Sequence, residues 1–278
     1  MPELAEVEVI VRGLRPQLAG QTIVAIPWLK PHLENDFTHS QLTQKLVGLR
    51  ITSVDRLGKY ILIGLSNGKH LVIHLRMTGK LLVKTKDSLP TKHVSFIFEL
   101  TDKALFFDDI RKFGSLVLTD NPEELPCLTK LGPDALTITV KQLQAACLSK
   151  KPIKTLLLDQ EKIAGLGNIY VCEILFLAQV HPLAMASRLM ERQVQAIHRH
   201  IGPVLKKSIK AGGTSISDYV NSSNVPGAFQ KLLQVYQRSG QPCPVCVTPI
   251  ERLKISGRST FLCPKCQKAE VSSPKGHK

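Results

Sequence analysis

Four cysteines in the C-terminal part of the chain have the spacing of a metal site. Cys243, Cys246, Cys263 and Cys266 form the pattern C-x₂-C-x₁₆-C-x₂-C. Two such pairs can supply four thiolates to a tetrahedral zinc ion and so close a hairpin that is too small to bury a core of its own. Because four protein ligands leave no open coordination position, the pattern predicts one structural zinc ion and not a catalytic one.

The first residues of the chain offer a possible nucleophile. Met1 is followed by Pro2 and then by Glu3, Glu6 and Glu8. Proline in a first turn and acids near the positive end of the helix dipole are typical of an ordinary helix start. A small second residue also normally allows the initiator methionine to be removed, and the secondary amine of proline would then be exposed as a nucleophile. Taken alone, this stretch favours the ordinary helix start.

The composition favours a folded protein with a polyanionic partner. The chain has 278 residues, of which 43% are hydrophobic and 21% charged, so it is long enough for two domains or one large one. It carries 37 Lys and Arg against 22 Asp and Glu, a formal net charge of +15, with a sequence pI near 9.6. Such a surplus most often indicates nucleic acid, although ribosomal and membrane-surface proteins share it.

The sequence gives no sign of export or membrane insertion, and we expect a cytoplasmic protein. No apolar run approaches the roughly 18 residues of a membrane span, and the first residues are acidic where a secretion signal is basic. Seven cysteines in a reducing compartment argue against a disulfide framework. Outside the two pairs, Cys127, Cys147 and Cys172 are expected to be buried structural thiols.

Apolar spacing predicts an N-terminal helix and then a β-rich region. The helix should run from Pro2 to about Leu18 and end at Gly20. Asn67-Gly68, a strong hairpin signal, lies between two runs of strand-forming residues. Seven such runs fall within residues 22–118 and predict a sandwich or flattened barrel, namely TIVAI, LRITSV, KYILIGL, HLVIHLRM, VSFIFEL, ALFF and SLVL.

Helical periodicity replaces the strand pattern after residues 131–136. It predicts helices over 139–149, 152–160, 168–180 and 188–211. Asn168 and Ser187 are expected to be N-caps, and Gly212-Gly213 is expected to stop the last helix. Residues 214–229 are polar and rich in turn formers, so a long flexible loop is predicted there.

Six motifs in a fixed order resemble the formamidopyrimidine-DNA glycosylase family, the bacterial 8-oxoguanine DNA glycosylases with AP lyase activity. PELAEVE resembles the family's N-terminal signature, LGKY its catalytic-lysine hairpin, and HLRMTGKL and DDIRKFG its two DNA-probing loops. IAGLGNIYVCEILF resembles its helix–two-turns–helix element, and LQVYQRSGQPCPVC with GRSTFLCPKCQ its zinc finger. Each motif is weak alone, but six in order are specific and cover nearly the whole chain.

The resemblance implies an α+β fold in three domains. Residues 1–130 would form an N-terminal β-sandwich that carries the N-terminal helix and the catalytic residues. Residues 131–235 would form a helical, DNA-binding helix–two-turns–helix domain, and residues 236–270 a C-terminal zinc-finger hairpin.

The resemblance also implies a reaction, the removal of oxidised purines such as 8-oxoguanine and formamidopyrimidines from duplex DNA. The damaged base must leave the stack before its sugar carbon can be reached. The amine of Pro2 would attack that carbon and expel the base, and a terminal amine with a pKa near ~8 is appreciably neutral at pH 7. The resulting iminium acidifies the sugar protons, so β-elimination and δ-elimination of the flanking phosphates would follow.

Further roles come from the same resemblance. Glu3 would protonate the sugar ring oxygen or shuttle protons, and Glu6 matches a second acid of the signature. Lys59 would contact phosphate and assist β-elimination, and Arg258 would bind phosphate and assist δ-elimination.

The remaining implied site residues contact DNA. Met77, Arg111 and Phe113 match the residues that fill the hole left by the extruded nucleotide, where a thioether, a fork of donors and an aromatic wedge suit the task. Asn168 opens a helix after two glycines, where backbone amides can grip phosphate. Further implied DNA contacts, less securely aligned, are His93, Lys150, Lys154 and Tyr236.

Three positions depart from the family pattern. Ala5 stands where a second proline is usual, and alanine is a good helix former. The usual KHDH reads Lys92-His93-Val94-Ser95, which loses one acid and one histidine. Val247 replaces a glycine, and a β-branched residue is costly if that position needs positive φ. None of the three removes a catalytic group, so activity is expected to survive.

Three other interpretations remain open. An endonuclease VIII-like glycosylase would use the same nucleophile on oxidised pyrimidines, but it typically begins PEGPE and lacks the Arg-Phe pairing of RKFG. A non-catalytic zinc-finger DNA-binding protein would have little reason to keep Pro2, Glu3, Lys59 and Arg258 together. A ribosomal or RNA-binding zinc ribbon would explain the charge and the cysteines but not the first residues.

We expect a bacterial monomer that binds damaged double-stranded DNA, associates with the nucleoid through this DNA and does not associate with membranes.

Overall fold

The computed structural model describes residues 2–33 and 37–269 of the chain. These residues divide into two compact units, the first made of Met1–Lys130 with Lys207–Lys231 and the second of Leu131–Lys206 with Leu232–Lys278. The division into three consecutive domains stays a prediction. Met1, whose removal we expect, and Glu270, the last residue of the predicted finger domain, lie outside the described residues. Within those residues, no helix combines the length and apolar character that crossing a membrane requires.

The described part of the first unit is built on eight strands in two antiparallel sheets. The strands are β1 (Ile23–Leu29), β2 (Ile51–Leu57), β3 (Tyr60–Leu65), β4 (His70–His74), β5 (Lys80–Lys84), β6 (Val94–Leu100), β7 (Ala104–Asp108) and β8 (Ser115–Thr119). One sheet has the order β1-β6-β7-β5 and the other the order β2-β3-β4-β8. Apolar side chains of both sheets join one buried cluster, so the predicted β-sandwich is confirmed.

Helix α1 (Leu4–Leu18) packs on this core and confirms the predicted N-terminal helix. Val7, Val11 and Leu14 are buried on one helical stripe, and each such side chain contributes about 1.5–3 kcal/mol relative to an exposed one. Ala5 is fully buried in the first turn, so alanine fits at this departure from the family pattern. The helix is therefore fixed against the sandwich from its first turn onward.

Most of the predicted strands are confirmed, with three differences. The hairpin at Asn67-Gly68 joins β3 to β4, and Gly68 has the positive φ that the turn requires. Strand β4 ends at His74, three residues before the predicted run does. Strand β5 was not predicted, because its run of three apolar residues shows no alternation. Helix α2 (His39–Leu46) was also missed, although Thr38 and Gln41 form a capping box at its start.

Five α-helices remain among the described residues; four of them agree with the predicted ones in place but not at every end, and the first, α3, was not predicted. They are α3 (Pro126–Thr129), α4 (Val140–Ala146), α5 (Ile153–Leu158), α6 (Asn168–Leu177) and α7 (Glu191–Lys210). Gly167, not Asn168, is the N-cap of α6. Ser187 lies inside a short 3₁₀ helix (Ala186–Arg188) and does not cap α7. Gly212 and Gly213 follow α7 with positive φ, as a helix stop predicts.

The isolated cysteines agree with the prediction at two positions out of three. Cys147 and Cys172 are buried, whereas Cys127 is exposed. Cys127 lies in α3, a four-residue helix in which only Leu128 is buried, so the helix is too short to hide both side chains. Burial raises the pKa of the Cys147 thiol to about 11, which leaves it protonated and unreactive.

In the second unit, a buried carboxylate fixes the segment that leads into the cysteine hairpin. Glu173 of α6 is almost fully buried, and its side chain accepts the backbone N–H groups of Gln234, Val235 and Tyr236 at 2.8–3.0 Å. Burial raises the pKa of this carboxyl, and the three N–H donors offset part of that effect. The helix therefore sets the direction in which the chain enters the hairpin.

The cysteine hairpin consists of β9 (Glu251–Ile255) and β10 (Arg258–Leu262), paired antiparallel. Ile250 and Phe261 belong to a buried cluster with Phe176 of α6, so the hairpin shares a core with the helical part of its unit. Val247 has φ +56° and is largely exposed. The expected cost of a β-branched residue at this position is therefore present.

Replacement of Val247 tests this backbone cost. Because glycine adopts positive φ without a steric penalty, Val247→Gly should stabilise the hairpin by about 1 kcal/mol. Thermal unfolding and the rate of zinc transfer to a chelator measure the effect. The matched control is Val245→Gly, at an exposed valine whose φ is not positive, and it should give no gain. An equal change in stability for the two substitutions would show that the positive φ of Val247 carries no cost.

His74 lies at the end of β4 and is buried. Its Nδ1 accepts the N–H of Arg76 at 3.0 Å, and the ring of Tyr60 contacts it edge-on with centroids 4.5 Å apart. Burial, together with the nearby charges of Arg76 and Lys59, lowers the pKa of His74 from 6.5 to about 3. The imidazole is therefore neutral in the folded protein at neutral pH.

The lowered pKa of His74 predicts a pH-dependent loss of stability. An unfolded histidine takes up a proton near pH 6.5, whereas the folded one does so only near pH 3, so the unfolded state binds more protons between these values. His74→Asn keeps an acceptor for the Arg76 N–H and removes the titration. Below pH 6.5 the free energy of unfolding should fall faster in the wild type, by up to about 1.4 kcal/mol per pH unit. The free energy of unfolding is measured by denaturant titration at pH 7, 5.5 and 4.5. The same dependence on pH in the wild type and in His74→Asn would contradict the prediction.

Candidate active site and metal centre

The first turn of α1 holds the two residues at which chemistry is expected. Pro2 and Glu3 are both buried. Glu6, one turn later, is also buried, and its Oε2 accepts the backbone N–H of Glu3 at 2.9 Å. Its Oε1 accepts the backbone N–H of Thr214 at 2.8 Å. A single carboxylate thus fixes the residue next to the proposed nucleophile and the start of a distant segment.

That segment, residues 214–228, contains no helix or strand, whereas Phe229, the last residue of the loop predicted over 214–229, begins a short 3₁₀ helix (Phe229–Leu232). Hydrogen bonds within the segment and to Gly212 and Glu6 hold it. The hydroxyl of Tyr219 lies 3.1 Å from the carbonyl oxygen of Gly212 and 3.4 Å from that of Glu6. Ser215 donates to the Tyr219 carbonyl at 2.7 Å and accepts the N–H of Gly227 at 2.8 Å. Burial and the charge of Glu6 raise the pKa of Tyr219, so its hydroxyl stays a donor.

A two-residue turn between β2 and β3 carries Lys59. Leu57 pairs with Tyr60 across the turn, and Gly58 supplies the positive φ. Only 7% of Lys59 is exposed, so it is not an ordinary surface lysine. The carbonyl of Gly58 accepts a hydrogen bond from Arg56 at 2.9 Å.

An ion pair ties this turn to α1. Arg56 Nε donates to Glu8 Oε2 at 2.8 Å, and Arg12 Nε donates to Glu8 Oε1 at 2.7 Å. Burial alone would raise the pKa of Glu8, but Arg56 and Arg12 leave it below its ordinary value of 4.5. The turn that carries Lys59 is therefore connected to the helix that begins next to Pro2 and Glu3.

His74 was not among the residues predicted from the sequence. Its buried ring lies close enough to Lys59 for the charge of that lysine to help lower the pKa of His74. With Nδ1 accepting from Arg76, the neutral ring carries its hydrogen on Nε2 and can donate there. The only sequence signal was its position in HLRMTGKL, two residues before Arg76 and three before Met77.

Three of the predicted DNA-contacting residues meet on the surface of the first unit. Met77, Arg111 and Phe113 are all exposed. The Nη1 of Arg111 lies 2.8 Å from the sulfur of Met77, and its guanidinium lies 4.8 Å from the ring centroid of Phe113. His93 is half-buried, and its carbonyl accepts the N–H of Asp109, which begins the segment with Arg111 and Phe113.

In the second unit, Arg258 is exposed at the start of β10. The next two residues, Ser259 and Thr260, accept hydrogen bonds from side chains elsewhere in this unit. Lys154 donates through Nζ to the carbonyl of Ser259 at 3.2 Å and to Oγ1 of Thr260 at 2.5 Å. Asn168 Nδ2 donates to the Ser259 carbonyl at 2.9 Å. The predicted direct DNA contact of Lys154 does not fit this arrangement, because its side chain is fully buried.

The other predicted contacts of the second unit are accessible to different degrees. Lys150 is exposed at the end of the α4 region. Tyr236 is half-buried, with its ring packed edge-on against Phe261 at a centroid distance of 5.1 Å.

The four paired cysteines converge as a metal site requires. Their Sγ atoms all lie within 4.8 Å of one another. The sulfur–sulfur distances are 3.9 Å for Cys243–Cys266, 3.4 Å for Cys246–Cys263 and 3.5 Å for Cys246–Cys266. Zinc–sulfur bonds of about 2.3 Å in a tetrahedron place sulfur atoms about 3.8 Å apart. The residues present therefore fit one zinc ion with four thiolate ligands.

Models of known protein families match almost the whole chain in three segments. Residues 1–116 match the formamidopyrimidine-DNA glycosylase N-terminal domain, and residues 131–220 match the H2TH domain of the same enzymes. Residues 240–269 match the zinc finger found in FPG and IleRS.

Full-length relatives lead to the same family. The formamidopyrimidine-DNA glycosylase of Lactobacillus helveticus is 40% identical over 96% of this chain and 99% of its own. That of Streptococcus pyogenes serotype M18 is 42% identical over 96% of this chain and 99% of its own.

Solved structures with DNA share the fold. A Lactococcus lactis FPG mutant bound to Fapy-dG-containing DNA has a TM-score of 0.90 and 36% identity, and covers 96% of this chain and 100% of its own. MutM with carbocyclic 8-oxo-G DNA has a TM-score of 0.88 and 37% identity at the same coverage. Wild-type Lactococcus lactis FPG with oxidised-pyrimidine DNA has a TM-score of 0.89 and 36% identity, also at that coverage. The chain belongs to the formamidopyrimidine-DNA glycosylase family.

Proposed function

We propose that this protein removes oxidised purines from duplex DNA and then cleaves the strand, as a DNA glycosylase and AP lyase. The observation that carries the proposal is the buried N-terminal turn, where Glu6 holds the backbone of Glu3 directly after Pro2. An amine fixed beside a carboxyl group in a buried turn is suited to nucleophilic attack with proton transfer.

The chemistry starts at the nitrogen of Pro2 once Met1 has been removed. The nitrogen lone pair forms a bond to the anomeric carbon of the damaged nucleotide, and the bond between sugar and base breaks with the electron pair leaving on the base. The Pro2 nitrogen, which still carries its own hydrogen after the attack, gives that proton to the departing base. Glu3 delivers a proton to the sugar ring oxygen, the bond between this oxygen and the anomeric carbon breaks, and the opened sugar is left as an iminium on Pro2. Loss of a proton next to the iminium then expels the 3′ phosphate, and a second elimination expels the 5′ phosphate.

Lys59 and His74 are proposed to hold the phosphate that flanks the damaged nucleotide. Lys59 is buried in a turn tied to α1 through Arg56 and Glu8, so its amine is held in place with little freedom. His74 is neutral and adds an N–H donor without adding a second charge. Lys59 would also assist β-elimination.

The exposed cluster of Met77, Arg111 and Phe113 is proposed to occupy the space that the extruded nucleotide leaves. Arg111 would face the orphaned base, because its fork of donors matches the acceptor edge of cytosine. Phe113 would stack in the duplex and Met77 would fill the remaining void. The half-buried ring of His93 lies on the adjoining segment and would contact the DNA backbone.

Contacts from the second unit are proposed to bind the DNA backbone. Arg258, Asn168, Lys150 and Tyr236 would contact phosphates, with Arg258 also assisting δ-elimination. Lys154 is assigned a supporting role, because its amine holds Ser259 and Thr260 next to Arg258. The zinc ion would keep the hairpin closed and takes no part in the reaction.

Damaged double-stranded DNA is the proposed partner, and the protein would act on it as a monomer. The net charge of +15 suits a polyanion, and the structural relatives were solved with damaged DNA. Because its proposed substrate is chromosomal DNA, the protein would be located in the bacterial cytoplasm, at the nucleoid.

Oxidised pyrimidines are the second candidate substrate class, because one structural relative was solved with DNA that contains such a base. The exposed pair of Arg111 and Phe113 favours purines, since endonuclease VIII-like glycosylases, which act on oxidised pyrimidines, lack the Arg-Phe pairing of RKFG. A substrate comparison separates the two classes.

Blocking the amine of Pro2 tests the proposed function. We expect mass spectrometry of active protein to show Met1 removed. A peptide extension before Pro2 should abolish base release from duplexes with 8-oxoguanine opposite cytosine, because an amide nitrogen has no nucleophilic lone pair. The matched control carries the same peptide after Lys278 and should keep full activity.

Two outcomes of this assay would contradict the proposal. Full base release by the N-terminally extended protein would exclude Pro2 as the nucleophile. Faster release of an oxidised pyrimidine than of 8-oxoguanine by the native protein would exclude oxidised purines as its main substrates.

A further inference from the structure

Two segments present the exposed cluster at the surface of the first unit. The Met77 loop comprises residues 75–79 and follows β4, and the Arg111 loop comprises residues 109–114 and follows β7. Each loop has an exposed side chain at its tip and a buried polar side chain at its base, Thr78 in one and Asp109 in the other. The exposed cluster therefore depends on how two separate loops are held relative to each other.

Hydrogen bonds at the base join the two loops directly. Thr78 Oγ1 donates to Asp109 Oδ1 at 2.5 Å. The backbone N–H of Arg111 lies 3.1 Å from Thr78 Oγ1 and 3.2 Å from Asp109 Oδ1. Asp109 Oδ2 accepts the N–H of Gly114 at 2.7 Å, which closes the Arg111 loop on itself. The hydroxyl of Thr78 thus belongs to one loop and sets the backbone of the residue that faces the orphaned base in the other.

Both loops also pack tightly against one aromatic ring, that of Phe107. A Cβ atom at Gly79 would lie 2.9 Å from the ring of Phe107, and one at Gly114 would lie 2.3 Å from it. These distances leave no room for a side chain at either position. Each loop therefore reaches the Phe107 ring through a glycine, one on the Met77 side and one on the Arg111 side.

Each loop contains one residue in the left-handed region. Arg76 has φ +51° and Lys112 has φ +56°, a conformation that non-glycine residues adopt at a cost. Such residues persist where the surroundings hold them in place. The Thr78–Asp109 hydrogen bonds and the contacts with Phe107 supply that restraint.

We propose that Thr78 and Asp109 are positioning residues that hold the two loops in one fixed arrangement, which recognises the base opposite the lesion. The inference rests on the proposed function and adds that Met77 and Arg111 cannot be placed independently. Removal of the Thr78 hydroxyl leaves the N–H of Arg111 with a single long acceptor and leaves Met77 on a separate loop. Selectivity for the opposite base then falls, while the chemistry at Pro2 is retained.

The substitution Thr78→Val tests this link, because valine keeps the shape and removes the hydroxyl. Base release is measured for 8-oxoguanine opposite cytosine and opposite adenine, and the ratio of kcat/KM values is compared. The ratio should fall by at least about tenfold, as expected when buried hydrogen bonds are lost, and Thr78→Ser should restore most of it. Cleavage of a ready-made abasic site should fall by less than about threefold, because no damaged base has to be released there.

A matched control and a second substitution isolate the pathway through Arg111. Thr119 makes two hydrogen bonds across the turn to Asn121, outside both loops, so Thr119→Val should leave the ratio unchanged. Arg111→Ala combined with Thr78→Val should be no less selective than Arg111→Ala alone, because the hydroxyl acts through that residue. Additive losses would show that Thr78 acts elsewhere.

The outcomes separate this inference from the proposed function. A wild-type ratio in folded Thr78→Val, as judged by thermal unfolding, would overturn the link between the loops. If Thr78→Val does not fold, Thr78→Ala removes the same hydroxyl with a smaller side chain and decides in the same way. Absence of base release by the wild-type protein would overturn the proposed function itself.

Discussion

A buried carboxylate has to be paired with hydrogen-bond donors. Because the donors in this protein are backbone N–H groups, this constraint fixes the positions of segments that have no regular structure. An ionised carboxyl group costs several kcal/mol to remove from water unless hydrogen bonds replace the lost solvent. Glu6, Asp109 and Glu173 are each at most 2% exposed, and each accepts backbone N–H groups from a segment without regular structure. Every one of these segments carries or adjoins residues with a proposed role.

Glu6 has the most direct consequence for function. One oxygen holds the N–H next to Pro2 and the other holds the start of residues 214–228. The residue next to the proposed nucleophile and this segment are therefore held by the same side chain, which gives Glu6 a structural role outside the proposed chemistry. Lys154 acts in a comparable way in the second unit, where a buried ammonium group sets the strand that begins with Arg258.

Local patterns in the sequence predict what depends on local chemistry. The C-x₂-C pairs predict the sulfur cluster, the apolar stripe predicts α1, and Asn67-Gly68 predicts its hairpin. Ser187 was wrongly placed as a cap because α7 begins at Glu191, three residues later than predicted, and Ser187 lies inside the 3₁₀ helix that precedes it.

Long-range pairing is what the sequence does not reveal. Glu6 and Thr214 are separated by 208 positions, and Thr78 and Asp109 by 31, so no spacing rule connects them. The burial of Lys154 and the lowered pKa of His74 likewise arise from tertiary packing. The residues with expected chemistry were found by motif, whereas those that hold them in place required the structure.

The central claim is that the nitrogen of Pro2 forms the covalent bond to DNA, and the most direct test is to locate that bond. Borohydride reduces the iminium formed with 8-oxoguanine DNA and makes the adduct permanent, and peptide mapping by mass spectrometry then identifies the modified residue. We expect the sugar remnant on Pro2 in the wild type, and also in Lys59→Ala, which should react more slowly. An adduct on Lys59 would contradict the account, because lysine would then be the amine that attacks the sugar.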